Sequence, residues 1–232
     1  NTPATQTTIS ANAKIGAQLN FDDQQDFNDA TRGLIAALSS LQVAGPGNYS
    51  VWNMPAFDFV KGEAPDTVNP SLWRQATLNN NHGLFKVTEG VYQLRGFDLS
   101  NMSIIEGKTG WIIVDPLTTK ETAAAAMAFA TEHLGSKPIS AIIFTHSHID
   151  HFGGVQSALG AAANTEIIAP VGFMDEATSE NVIAGTTMSR RSMFMYGSQL
   201  EHSARGHVGS GLGKGPAFGS VGIAAPTRSI DT

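Results

Sequence analysis

Ile139-Ser140-Ala141-Ile142-Ile143-Phe144 runs without a break into Thr145-His146-Ser147-His148-Ile149-Asp150-His151, and Gly153-Gly154 follows at once. The first six residues are a continuous apolar run of strand length, as expected of a strand buried on both faces. The polar cluster therefore sits just beyond the carboxyl end of a buried strand, where open α/β sheets bind ligands. In a tight loop, side chains two residues apart can point to the same side, so His146 and His148 can share one ion. Asp150 and His151 then face a second position nearby. Imidazole nitrogens with a carboxylate suit Zn²⁺. Two such ions ~3.5–4 Å apart lower the pKa of a water between them from ~15.7 toward ~7. Isolated histidines are usually ordinary surface or core residues, but three with an aspartate in six positions at a strand end point to a metal. Gly153-Gly154 is expected to let the backbone turn tightly and a helix begin close to the ions.

Outward from this cluster the pattern is that of a layered α/β sheet. Leu84 to Val87, Val91 to Leu94, Ser103 to Glu106 and Trp111 to Val114 read as short strands separated by glycine-bearing turns. Thr119 to Leu134 is alanine-rich and reads as a helix stopped by Gly135. A helix from Gly154 to Leu159, a strand from Glu166 to Ala169 and a helix starting near Pro170 follow. The first part of the chain is less regular. Asp22 to Leu41 has a helical apolar period through Phe27, Ala30, Leu34, Ala37, Leu38 and Leu41, so one amphipathic helix is expected there. From Tyr49 to Trp73 aromatics and prolines alternate without a period, which reads as an extended arm laid over another surface. The expected organisation is a helix-and-arm segment over 1–82 and a catalytic domain over 83–232.

Composition narrows the function. Hydrophobic residues are 41% and charged residues 15% of 232, a globular balance. A net charge of −6 supplies no basic face for nucleic acid, and no run approaches the ~20 apolar residues of a membrane-spanning helix. The absence of cysteine excludes disulfides, a thiolate nucleophile and sulfur-ligated zinc. The polar opening Asn1-Thr2-Pro3-Ala4-Thr5 reads as a mature end left by signal-peptide removal, although any other start point would read the same. The glycine-rich stretch Gly206 to Gly219 lacks the spacing of a phosphate-binding loop.

The histidine segment resembles the HxHxDH signature of the metallo-β-lactamase superfamily, which implies an αββα sandwich. Two further stretches, Val91-Tyr92-Gln93-Leu94-Arg95-Gly96-Phe97-Asp98-Leu99-Ser100-Asn101-Met102-Ser103 and Gly110-Trp111-Ile112-Ile113-Val114-Asp115-Pro116-Leu117, resemble the alkylsulfatase family. So do Arg190-Arg191 with Met195-Tyr196-Gly197, and Gly211-Leu212-Gly213-Lys214-Gly215. The likeness runs from near Trp52 to the last residues. It implies zinc-dependent hydrolysis of alkyl sulfate esters such as dodecyl sulfate, hence detergent degradation, with two Zn²⁺ per complete subunit. A homodimer and a periplasmic or secreted setting are implied as well. His146, His148, Asp150 and His151 match the family's metal ligands, and Asp150 is also the candidate catalytic residue. The family takes further ligands, its sulfate-holding residues and its general acid from segments beyond those matched. The chain is therefore expected to be the N-terminal portion of such an enzyme, its remainder lying in the same polypeptide or in a separate chain. His202 and His207 stand in the wrong context to replace those ligands.

Other residues carry two readings each. Asp115 either accepts a hydrogen bond from a ligand histidine or is a turn carboxylate before Pro116. Asn101, Met102 and Tyr196 are candidates to line the substrate pocket, against an ordinary loop for the first two and a buried helix-end tyrosine for the third. Arg190 and Arg191 suggest a sulfate site, yet paired surface arginines are usually solvated. His82 and His133 read as surface residues. A lactonase-like hydrolase of the same superfamily, or a non-catalytic metal-binding or dimerisation fragment, are the rival functions.

Overall fold

Glycine turns divide the chain after residue 83 into strands short enough to alternate faces, and an alanine-rich helix then carries it over the sheet. The computed structural model describes residues 2–160 and 165–231. In chain order, α1 (Gln6–Gln18) and α2 (Gln25–Thr31) precede β1 (Leu34–Ala36), β2 (Gln42–Ala44) and β3 (Ser50–Asn53). Then come α3 (Pro70–Leu78), β4 (Gly83–Thr88), β5 (Val91–Arg95), β6 (Met102–Glu106) and β7 (Trp111–Val114). The remainder is α4 (Lys120–Leu134), β8 (Ile139–Ile143), α5 (Val155–Leu159), β9 (Glu166–Pro170), α6 (Phe173–Thr178), α7 (Gly185–Tyr196) and β10 (Arg228–Ile230).

One sheet has the order β1-β4-β5-β6-β7-β8-β9-β10. Pairing is antiparallel from β1 to β7 and parallel from β7 to β10. Register puts Ile104, Ile113, Ile142 and Ile167 side by side across four strands, all buried. Ala123, Ala126, Phe129 and Ala130 of α4 and Val155 and Ala158 of α5 share that core. Each isoleucine so covered contributes about 1.5–3 kcal/mol. The other face, with Ile112, Val114, Ile143 and Ile168, is half-buried. The run Ile139 to Phe144 is thus closed fully on one face only, because α4 and α5 cover a single side. Among the described residues no helix is long and apolar enough to cross a membrane.

The amino-terminal part departs from expectation. The helical period from Asp22 to Leu41 is realised only as far as Thr31. Gly33 takes a left-handed φ of 77°, and a Cβ there would meet the Lys86 carbonyl at 2.1 Å, so the chain turns and Leu34–Ala36 pairs with β4 at the sheet edge. Gln6–Gln18, to which the sequence assigned no element, is helical, capped by the Thr5 side chain on the Thr8 amide. The arm is not extended throughout: β3 and a 3₁₀ turn at Met54–Phe57 lead to α3, which contains Trp73. Leu41, Val43, Val51, Trp52 and Met54 belong to the same core as the sheet, so that core runs across position 82. His82 is half-buried, its ring bridging the Asn80 and Leu38 carbonyls, whereas His133 is exposed.

Two buried polar groups tie the loops at the carboxyl ends of the strands. Asp98 accepts from the amides of Leu99, Thr118 and Ala217 and from the hydroxyls of Thr118 and Thr122. Burial pushes its carboxyl above the ordinary range and these donors pull against that shift. Lys214 donates to the Ala76 carbonyl at 2.7 Å, and burial lowers its pKa to about 7, so the glycine-rich loop is pinned to α3. Asp98→Ala would strand five donors in the interior and is expected to cost about 3 kcal/mol or more. Urea unfolding measures this; a loss under about 1 kcal/mol would mean water satisfies those donors.

Candidate metal centre

The site is assembled from two loops that leave adjacent parallel strands. After β7 the backbone takes left-handed φ values of 56° at Asp115 and 65° at Leu117. Non-glycine residues there cost about 1–3 kcal/mol each and collect at functional positions. The kink puts the Asp115 carboxylate under the loop that follows β8. Its Oδ1 accepts from the Thr145 amide at 2.9 Å, and its Oδ2 accepts from the Thr145 hydroxyl at 2.7 Å. His151 Nδ1 lies 2.8 Å from the same Oδ2. Asp115 therefore supports the histidine cluster and is more than a turn residue.

The four side chains of the motif meet as two adjacent pairs. His146 Nε2 lies 3.1 Å from His148 Nδ1, and Asp150 Oδ2 lies 3.3 Å from His151 Nε2. The His146 and His151 rings are 4.0 Å apart between centroids. Two ligands on a tetrahedral zinc at ~2.0–2.1 Å are separated by ~3.3 Å, so each pair has the spacing of one edge of such a site. The donor types fit as well, being imidazole nitrogen and carboxylate oxygen. Among the described residues no three His, Asp or Glu side chains form a set that would hold one ion; each position has two donors.

Charge within the cluster follows from the same contacts. Burial works to lower the His151 pKa, but hydrogen bonds to Asp115 and Asp150 outweigh it and raise the value from 6.5 to about 9. Burial works to raise the Asp150 carboxyl, and His151 holds it below its ordinary value. His146 is lowered by burial and by its two histidine neighbours. A metal at His151 Nε2 must displace a proton, so binding is coupled to proton release.

Neighbouring segments lock the loop. A 3₁₀ turn at Ile149–His151 carries the second pair, and the Ser100 hydroxyl donates to the Asp150 carbonyl. Gly153 and Gly154 are required for close approach rather than for an unusual turn. A Cβ on Gly153 would meet the Thr118 carbonyl at 2.0 Å, and one on Gly154 the Pro116 carbonyl at 2.2 Å. Of the substrate candidates, Asn101 lines a cavity of about 500 Å³ with Gln93, Arg95 and Leu99. Met102 is a correction: it is fully buried in the core at the start of β6 and offers no surface to a substrate. Tyr196 ends α7 half-buried and makes no hydrogen bond or ring contact with the cluster. Arg190 and Arg191 are exposed on α7. Asp98 was missed, because an aspartate in a loop carries no sign of burial in its sequence.

Residues 95–192 match the metallo-β-lactamase superfamily, whose members generally bind zinc. The alkyl/aryl-sulfatase BDS1 of Saccharomyces cerevisiae is 48% identical over 97% of this chain and 35% of its own length. The (R)-specific secondary-alkylsulfatase of a Pseudomonas species is 43% identical over 99% of this chain and 35% of its own length. The solved structure of the stereoselective inverting sec-alkylsulfatase Pisa1 from Pseudomonas superposes with a TM-score of 0.92 at 44% identity, covering 100% of this chain and 37% of that one. Over nearly its whole length the chain is similar to alkylsulfatases, and its central part resembles the metallo-β-lactamase superfamily. It spans about a third of the length of these relatives, 35–37%.

Asp115→Asn tests the support directly, since an amide has one acceptor oxygen and cannot serve the Thr145 amide on one side and the Thr145 hydroxyl with His151 on the other. Zinc affinity, measured by competition with a chromophoric chelator, is expected to fall roughly 10–100-fold. An unchanged affinity would return Asp115 to the role of a turn residue.

Proposed function

We propose that the protein containing this chain hydrolyses alkyl sulfate esters to alcohol and sulfate, using two zinc ions per subunit. The observation that carries the reading is the pairing of His146 with His148 and of Asp150 with His151 at zinc-edge spacing, in a chain 43–48% identical to named alkylsulfatases. His146 and His148 would hold one ion, and Asp150 and His151 the other. Zinc there supplies a Lewis acid for the ester oxygens and lowers the pKa of water.

The chain's own residues do the positioning. Asp115 keeps a proton on His151 Nδ1 and leaves Nε2 toward the second position. Asp150, held ionised by His151, brings the negative charge that favours a cation there. Ser100 and the two close-packed glycines keep the loop from drifting, which matters because a misplacement of 1 Å can cost 10²-fold in rate. Asn101 and Tyr196 are kept as candidates to line the substrate pocket; the cavity at Asn101 is lined by neither Tyr196 nor any of the four motif residues. The homodimer and a periplasmic or secreted setting belong to the same proposal, on the family likeness.

The test is turnover of dodecyl sulfate and of a chiral secondary alkyl sulfate, against a panel of lactones, with zinc analysis of the same dialysed sample. Two zinc ions per subunit and sulfatase turnover are expected. In ¹⁸O-labelled water the label should enter the alcohol with inverted configuration, as the name of the inverting Pseudomonas relative suggests. Asp150→Asn should lower zinc content from two ions toward one per subunit and turnover at least 10–100-fold, the range seen when only a supporting hydrogen bond is lost. Lactone turnover alone would favour the lactonase reading. Zinc without turnover of any ester would favour a metal-binding or dimerisation role, and no zinc would sink the proposal.

A further inference from the structure

Between α6 and α7 the helix widens into a π turn, Ser179–Ile183. Such turns are rare overall and frequent at functional sites. Two consecutive residues of this one reach the metal loop. Glu180 Oε1 lies 3.4 Å from His148 Nε2. Asn181 Nδ2 donates to the Ala177 carbonyl at 2.8 Å and comes within 3.5 Å of the Ser147 carbonyl.

The two rings of the first pair have matching outer partners. A carboxylate only accepts, so Glu180 favours the proton of a neutral His148 on Nε2 and leaves Nδ1 bare. On the other ring, His146 Nδ1 lies 2.9 Å from the Thr145 hydroxyl. That hydroxyl gives its hydrogen to Asp115, so it accepts from His146 Nδ1 and leaves Nε2 bare. The two bare nitrogens are the ones that face each other at 3.1 Å. Two lone pairs at that distance repel each other unless a cation lies between them.

We propose that Glu180 is a positioning residue: its carboxylate fixes the ring and the proton of His148 so that Nδ1 faces the metal, as the Thr145–Asp115 relay does for His146. The inference rests on the reading of His148 as a ligand. Nothing local in the sequence signals the role, because Glu180 lies 29 positions beyond the last residue of the motif and becomes its neighbour only through the π turn.

The test is a double-mutant cycle on the full chain, read as affinity for Zn²⁺ itself in competition with a chromophoric chelator, with thermal unfolding as a check on folding. Glu180→Ala should weaken binding roughly 10–100-fold. Glu180→Gln, which keeps an acceptor oxygen, should restore most of the affinity. In a His148→Ala background, Glu180→Ala should cause no further loss, because the interaction it serves is already gone. The proposal is overturned if Glu180→Ala binds as the parent does, if Gln does not rescue, or if the loss persists without His148. If His148→Ala alone leaves affinity unchanged, the ligand reading itself fails and the proposal falls with it.

Discussion

The Asp115 carboxylate holds the histidine loop in place. It takes one hydrogen bond from the backbone of Thr145, which fixes the direction in which the chain leaves β8. It takes a second from the Thr145 hydroxyl, which then orients His146. Its third partner is His151, at the far end of the motif. A seven-residue loop is thus gathered around one carboxylate, and residues separated along the chain acquire a common geometry. The arrangement requires β7 to end in a left-handed kink, which costs energy that the packed sheet below must offset.

That packing explains why the loops are so closely built. The buried row of isoleucines and the alanines of α4 set a rigid floor, since interiors packed to crystal density transmit displacement rather than absorb it. Above it, the close approach of Gly153 and Gly154 to the Pro116–Thr118 carbonyls leaves no room for a single added carbon. Asp98 gathers the β5–β6 loop, the start of α4 and the glycine-rich loop onto one buried acceptor. The two side-chain pairs are therefore supported from below by apolar contacts and from the side by polar ones.

The motif, the strands from Leu84 onward and the helix after Thr119 could be read directly, because each depends on local spacing. His146, His148, Asp150 and His151 are neighbours in sequence, and a single loop suffices to bring them together. The misread parts depend on distant partners. Leu34 to Ala36 leaves the helical period because β4 offers an edge, and Met102 enters the core because α4 covers its side of the sheet. Asp98 and Glu180 look like ordinary loop and helix carboxylates until tertiary contacts supply their donors. Asp115 stood between two readings for the same reason, since its partners lie thirty and more residues away.

Everything the loop does depends on where metal binds. Crystals of the protein containing this chain, soaked in zinc and measured on both sides of the zinc absorption edge, give that position directly. Two anomalous peaks are predicted about 3.5–4 Å apart, one against His146 Nε2 and His148 Nδ1 and the other against Asp150 and His151 Nε2. Zinc absent from both pairs, or bound elsewhere in the chain, would contradict the account.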